Sequence, residues 1–296
     1  MRAVWSFWSK PFFAHKGRIW REPRHHLLAW GLSLRLARRH YPETMLVTDK
    51  AGKALLVDRL GLDFDEVSIE LEALRDADLG WWALGKLYAY SMQDRPFIHL
   101  DTDVFLWKPL PASVASAPVF AQCPEDHPLN DWCGPQDIEA AFAKHRLPLP
   151  QEWEWMRSQP STGFREENCG ILGGHHVDFI RYYAQLGMDL AVNPAFAQAW
   201  AELPNKSGYN MMIEQFLLSA CLDYHRAHPE SPYQGIRIKH LFPSFGDAFN
   251  PRLTAQAGYT HLLGNAKSHA GVMQRLEQRM QQEDRSFYNR CLRMEI

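Results

Sequence analysis

The stretch "FIHLDTDVFLWKPL", residues 97 to 110, decides how the rest of the chain is read. An apolar run, Phe97 to Leu100, leads to Asp101-Thr102-Asp103 and becomes apolar again at Val104. Residues two apart on an extended strand point to the same side, so the two carboxylates are expected to face each other and repel. A shared proton, an Arg or Lys clamp, or a divalent metal would relieve that repulsion. Hard oxygen ligands suit Mg2+ or Mn2+, which keep positions open for phosphate oxygens and water. An isolated Asp-x-Asp is also what the wet end of an ordinary strand looks like, so the motif needs support from elsewhere in the chain.

Toward the N-terminus the pattern alternates. Ala3 to Trp8 reads as a buried strand, and His25 to His40 as a helix with Leu27, Leu28, Leu32 and Leu36 on its apolar side. Met45 to Thr48 reads as a second strand, stopped by an Asp-Lys-Ala-Gly turn at 49–52. A helix over Ala54 to Leu60, a strand over Glu66 to Ile69 and a helix over Gly80 to Gln93 then lead into the Phe97 strand. This predicts an α/β fold: a single domain with a mostly parallel central sheet flanked by helices. Ligands of such sheets bind beyond the carboxyl ends of the strands, where Asp101 to Asp103 falls.

Toward the C-terminus the pattern is less regular. It contains a loop-like Pro- and Trp-rich stretch at 148–160, an apolar "CGILGG" strand at 169–174 and a helix around Asn210 to Tyr224. A short strand over Tyr259 to Leu262 and an amphipathic C-terminal helix follow. Met273, Leu276 and Met280 lie at helical spacing in that helix. Packing on the domain is favoured over peripheral membrane contact, because Glu277, Glu283 and Asp284 weaken attraction to anionic lipid.

Composition sets the bounds. The 296 residues are 46% hydrophobic and 22% charged, ordinary for a globular protein. With 32 basic against 34 acidic side chains, the net charge of -2 argues against a nucleic-acid partner. Five scattered cysteines without CxxC spacing read as reduced thiols. Lys10, His15, Lys16 and Arg18 interrupt the apolar start before it forms a signal peptide, and no uncharged run reaches the ~18 residues of a membrane span. A cytoplasmic protein is expected.

Support for the acidic pair comes from "YTHLLGNAKSH", residues 259 to 269, with His261, Gly264 and Lys267 in an HxxGxxK spacing. Imidazole accepts Mn2+ readily. A glycine three residues on lets backbone approach a diphosphate, and a lysine supplies a point charge for it. Singly these are a strand-end histidine and a surface lysine. Together with the Asp-x-Asp they point to a metal–diphosphate site. Phosphotransferases of the haloacid-dehalogenase type also place an Asp-x-Asp after a buried strand. They do so at the first strand with a Gly-Thr type of continuation, whereas Val104-Phe105-Leu106 follows here.

With both motifs in view, the chain resembles a nucleotide-sugar-dependent glycosyltransferase of the GT-A fold, most like the retaining family 8 type. The resemblance implies a Rossmann-like nucleotide-binding half over 1–110, a sugar and acceptor half over 111–272, and a C-terminal helix over 273–296. It implies that Asp101, Asp103 and His261 bind Mn2+ (or Mg2+), and that Gly264 and Lys267 meet the diphosphate of a UDP-sugar. Lys86 matches a basic residue used against the donor. "ENCGILGG" (167–174) resembles the family's sugar-pocket strand, which puts Asn168 and Gly170 at the sugar. Glu214-Gln215 matches an acid–Gln pair near the anomeric carbon, where it is expected to act catalytically. Ser268-His269 stand where Pro-Trp is usual. The implied reaction is hexosyl transfer to a hydroxyl acceptor, which would suit bacterial surface-glycan synthesis.

Two other classes use similar features. A non-catalytic nucleotide- or sugar-binding protein could share the fold, and a nucleotidyl- or phosphotransferase also uses paired carboxylates. The latter usually has a Gly-rich basic loop after its first strand, and here Ser9-Lys10-Pro11-Phe12 reaches no glycine before Gly17. His25-His26 and His175-His176 lack metal-ligand spacing and read as core or surface residues. Trp81-Trp82 reads as core, and Trp153 with Trp155 as an acceptor-wall candidate.

Overall fold

The computed structural model describes residues 1–15, 19–129, 131, 133–203 and 206–294, so Gly17 and the last two residues of the predicted C-terminal helix lie outside them. Its strands are β1 (Arg2–Phe7), β2 (Thr44–Thr48), β3 (Glu66–Ser68), β4 (Phe97–Leu100), β5 (Val104–Leu106), β6 (Val119–Ala121), β7 (Pro124–Pro128), β8 (Gly163–Glu167), β9 (Ile171–Gly174), β10 (Ile238–His240) and β11 (Tyr259–His261). Seven of them form one sheet in the order β10-β6-β9-β4-β1-β2-β3. All its pairings are parallel except those of β9, which runs against both β4 and β6. The mostly parallel α/β sheet expected from the alternation is therefore present.

The central strands β1, β2 and β4 are buried along almost their whole length, with apolar side chains on both faces. In β1 the alternation of side chains splits the core: Val4 joins one cluster with Met45, Val47 and Phe97. Ala3, Trp5 and Phe7 join the other with Leu46, Ile98 and Leu100. The helix Pro23–Arg38 begins with proline at its first turn, where the missing N–H costs nothing. It packs on the helices Ala270–Glu283 and Arg285–Leu292. Met273, Leu276 and Met280 are buried in that contact, as their spacing predicts.

Several local expectations are corrected. Asp49 does not open a turn that stops β2. It caps a helix, accepting from Gly52 N at 2.7 Å, and also accepts from Ser9 N at 2.9 Å, which ties the ends of β1 and β2 together. The helix expected from Gly80 starts at Leu84, because Asn210 accepts from Ala83 N and donates to Gly80 O. The helix expected over Asn210 to Tyr224 runs from Lys206 to Ala227 with a π turn at Met212–Phe216. The C-terminal helix breaks at Asp284, which caps the following helix through Phe287 N at 2.8 Å. The Pro- and Trp-rich stretch holds a helix, Gln151–Ser158, and Trp153 is buried in the core rather than walling an acceptor site. Trp81 is core as expected, whereas Trp82 is exposed.

The acidic pair itself departs from the extended geometry. Asp101 to Asp103 is a turn closed by Val104 N donating to Asp101 O at 3.0 Å. The chain leaves the main sheet there and continues as β5, whose partner is β11 in a separate antiparallel ribbon. A second ribbon, β7 with β8, rises from the ends of β6 and β9.

Candidate functional site

The β5–β11 ribbon brings the two sequence motifs together. His261 pairs with Val104 across the ribbon, and Leu262 N donates to Asp103 O at 3.0 Å. His261 Nε2 consequently lies 3.5 Å from Asp103 Oδ1. One ligand atom each from Asp101, Asp103 and His261 can be drawn from a group within 4.8 Å of one another. His261 Nδ1 lies 2.7 Å from Gln122 Oε1, which also accepts from Tyr259 OH at 2.6 Å. An amide oxygen cannot donate, so the Nδ1 position carries a hydrogen and Nε2 is the ring atom that faces Asp103. Orientation of a ligating imidazole through its other nitrogen is how metal sites set ligand direction. The donor set therefore fits a divalent cation.

Gly170 forms the floor beneath that imidazole. A Cβ there would lie 2.5 Å from Gln122 Oε1 and from His261 Cε1 and Nδ1. Gly170 O also accepts from Asp101 N at 3.0 Å, joining the start of β9 to the acidic turn.

Each aspartate has its own lysine. Lys267 Nζ, on the short turn Gly264–Ser268 after β11, lies 2.5 Å from Asp103 Oδ2 and 5.8 Å from the Trp20 ring centroid. Burial disfavours the charged form of Asp103, yet Lys267 and His261 together hold its carboxyl well below the usual range. Lys86, on the helix Leu84–Ser91, lies 3.0 Å from Asp101 Oδ1 and 2.8 Å from Glu214 Oε1, and donates to Cys169 O at 3.2 Å. Burial opposes its charge, but Asp101 and Glu214 outweigh that and keep the ammonium protonated far above its ordinary pKa. Gly264 has φ of +49°, the left-handed region that favours glycine, and open space where a side chain would stand.

The remaining predicted residues lie around this centre. Glu214 is fully buried on the π turn, and its Oε1 accepts from Tyr90 OH at 2.9 Å while Oε2 has no hydrogen-bond donor among the described residues. Burial raises its pKa, against the pull of Lys86. Gln215 is half-buried beside it. Asn168 is buried with both ends of its amide engaged: it donates to Glu125 Oε1 and accepts from Gly170 N at 3.0 Å. Gln122, Tyr259 and Tyr90 complete the site and were not picked out from the sequence. A buried glutamine must find partners, but its sequence neighbours do not say which.

His26 lies beside the site, with ring centroids 4.8 Å from Phe12 and 5.7 Å from Trp20. Burial first, then the nearby Lys267 charge, lower its pKa from 6.5 to about 3. It stays neutral in the folded chain while the unfolded chain takes up a proton near 6.5, so its contribution is present above that pH and lost as pH falls toward 3. His26→Gln is expected to flatten the decline of unfolding free energy between pH 6.5 and 4. Denaturant titrations at several pH values check this, and an unchanged slope would remove His26 as the cause.

Among the described residues, no helix is long and apolar enough to cross a membrane, and the five cysteines are free and buried. No curated protein matches the chain. Among solved structures it is similar to the galactosyltransferase LgtC in complex with donor and acceptor sugar analogs. The identity is 11%, with 72% of this chain and 70% of that one covered, and the TM-score of 0.35 is too low to argue from. The match that extends along the sequence is to a family described as "Family of unknown function (DUF6734)". It spans residues 1–294, and the chain belongs to that family.

Proposed function

We propose that the protein is a metal-dependent glycosyltransferase that moves a sugar, with retention, from a UDP-linked donor to a hydroxyl acceptor. The observation that carries this reading is the convergence of Asp101, Asp103 and His261 at the carboxyl end of β4, with Lys267 alongside. Mn2+ or Mg2+ held by those three residues would supply Lewis-acid neutralisation of a leaving diphosphate. Lys267 adds a fixed positive charge to the same region, and Gly264 offers a turn that backbone N–H groups can use to approach phosphate oxygens. Glu214 pairs with Lys86, and in this reading Glu214 and its neighbour Gln215 supply the carboxylate and amide that favour positive charge at an anomeric carbon. Asn168 and Gly170 hold the wall on the sugar side. In this reading residues 1–110 are the nucleotide half, 111–272 the sugar and acceptor half, and the product a surface glycan made in the cytoplasm.

Calorimetry with UDP, with and without Mn2+, followed by hydrolysis and transfer assays over a panel of UDP-sugars, tests the reading. Tighter UDP binding with Mn2+ and slow hydrolysis of at least one donor are expected. UDP binding without turnover across the panel would favour a non-catalytic nucleotide-binding protein. UDP binding that ignores Mn2+ would leave the two lysine pairs as the whole of the site.

A further inference from the structure

We propose that the β7–β8 ribbon carries a second divalent-cation site, ligated by Glu125, Nε2 of His127 and Oε2 of Glu166, for a borderline ion such as Mn2+ or Zn2+. It is independent of the glycosyltransferase reading. Glu125 and Glu166 are direct cross-strand partners, and His127, two residues along β7, shares the face of Glu125. Like charges directly opposite each other on a ribbon are destabilising. Among the described residues, His127 is the only cationic side chain within ion-pairing distance of either glutamate, since Arg165 is committed to Asp126. Ligand atoms of the three residues lie within 4.8 Å of one another.

Two buried atoms aim into this space, and among the described residues neither has a hydrogen-bond partner. Glu166 is 1% exposed, and the two atoms are its Oε2 and Nε2 of His127. Nε2 stands 3.5 Å from Glu166 Oε2 and 3.9 Å from Glu125 Oε2, too long for a good hydrogen bond. Metal bonds of about 2.0–2.2 Å set neighbouring ligand atoms roughly 3–3.6 Å apart, so an ion fits this spacing better than a direct contact does. The imidazole is already oriented. Its Nδ1 lies 2.9 Å from Asp131 Oδ2, and its ring stacks on Phe164 at 5.0 Å between centroids. A carboxylate behind one ring nitrogen makes the other a directed and more basic ligand. Two carboxylates with one imidazole suit Mn2+ and Zn2+ rather than Ca2+. Asn168 joins this site to the first, since it donates to Glu125 and accepts from Gly170 N.

The test counts equivalents of Mn2+ and, in a separate series, Zn2+ retained by the full chain after equilibrium dialysis. It compares the wild type with Asp103→Asn, Glu166→Gln and the double variant, each first checked for native circular dichroism. Two equivalents in the wild type, one in each single variant and none in the double variant are expected with at least one of the ions. His127→Gln, checked for native circular dichroism, should lose the same equivalent as Glu166→Gln. If Glu166→Gln and His127→Gln bind as much of both ions as the wild type, the proposal is overturned, and a proton on His127 is what balances the glutamates. If Glu166→Gln loses one equivalent while Asp103→Asn keeps both, the ribbon site stands and the Asp101–Asp103–His261 site falls.

Discussion

Asp101→Ala is expected to slow Mn2+-dependent hydrolysis of a UDP-sugar by about 10³-fold or more, while the protein stays folded. A bound metal is worth several kcal/mol to a leaving group that gains charge, and each 1.36 kcal/mol is tenfold in rate. Asp101 is the better of the two aspartates to remove. Its side chain is 26% exposed and its lysine keeps a second partner, because Lys86 is also 2.8 Å from Glu214. Removing Asp103 would instead leave Lys267 without its carboxylate in a mostly buried place, so stability and activity would fall together. The measurement is UDP release against Mn2+ concentration, with thermal unfolding of both proteins run alongside. An Asp101→Ala variant that hydrolyses the donor as the wild type does would remove the acidic pair from the chemistry.

What the sequence disclosed follows a physical line. β4 is legible to the residue because the mostly apolar run Phe97 to Leu100 is too short for a helix and is bounded by Pro96 and by the acidic pair. The meeting of Asp103 with His261 was legible only as two motifs; the β5–β11 register that unites them is a non-local pairing that no local propensity encodes. The same holds for Lys86, whose pairing with both Asp101 and Glu214 depends on the packing of two helices. The turn at Asp101 to Asp103 reads as extended from its residues, since the sequence does not show that β5 abandons the sheet. β8 is not legible as a strand. Its charged residues look solvated, yet Glu166 and Glu167 are buried, with His127 and His240 as their respective neighbours. Asp49 reads as a turn residue and Asp284 as a residue within one C-terminal helix, but both cap helices, because a cap is defined by the backbone it meets.

Gly170→Ala is expected to weaken Mn2+ binding by about 10–100-fold, the usual cost of disturbing the groups that orient a metal ligand. The single added methyl would stand 2.5 Å from His261 Cε1 and Nδ1 and from Gln122 Oε1. No real contact is that close, so the imidazole or the glutamine must move, and the hydrogen bond between them goes first. The backbone of Gly170 does not occupy the left-handed region, so alanine meets no strain of its own, and the expected loss of stability is that of overpacking, about 1–3 kcal/mol. Gly264→Ala is the informative contrast. It adds a methyl into open space at a φ of +49°, which costs about 1–2 kcal/mol of backbone strain without touching His261. It should leave Mn2+ affinity near the wild-type value. If Gly170 acts through His261, the two substitutions are not additive: in a His261→Ala background, Gly170→Ala should cost no further Mn2+ affinity. Titration of Mn2+ into the four proteins of that cycle decides the matter. Wild-type affinity in Gly170→Ala, or a full second loss in the double variant, would mean that the glycine supports something other than the imidazole above it.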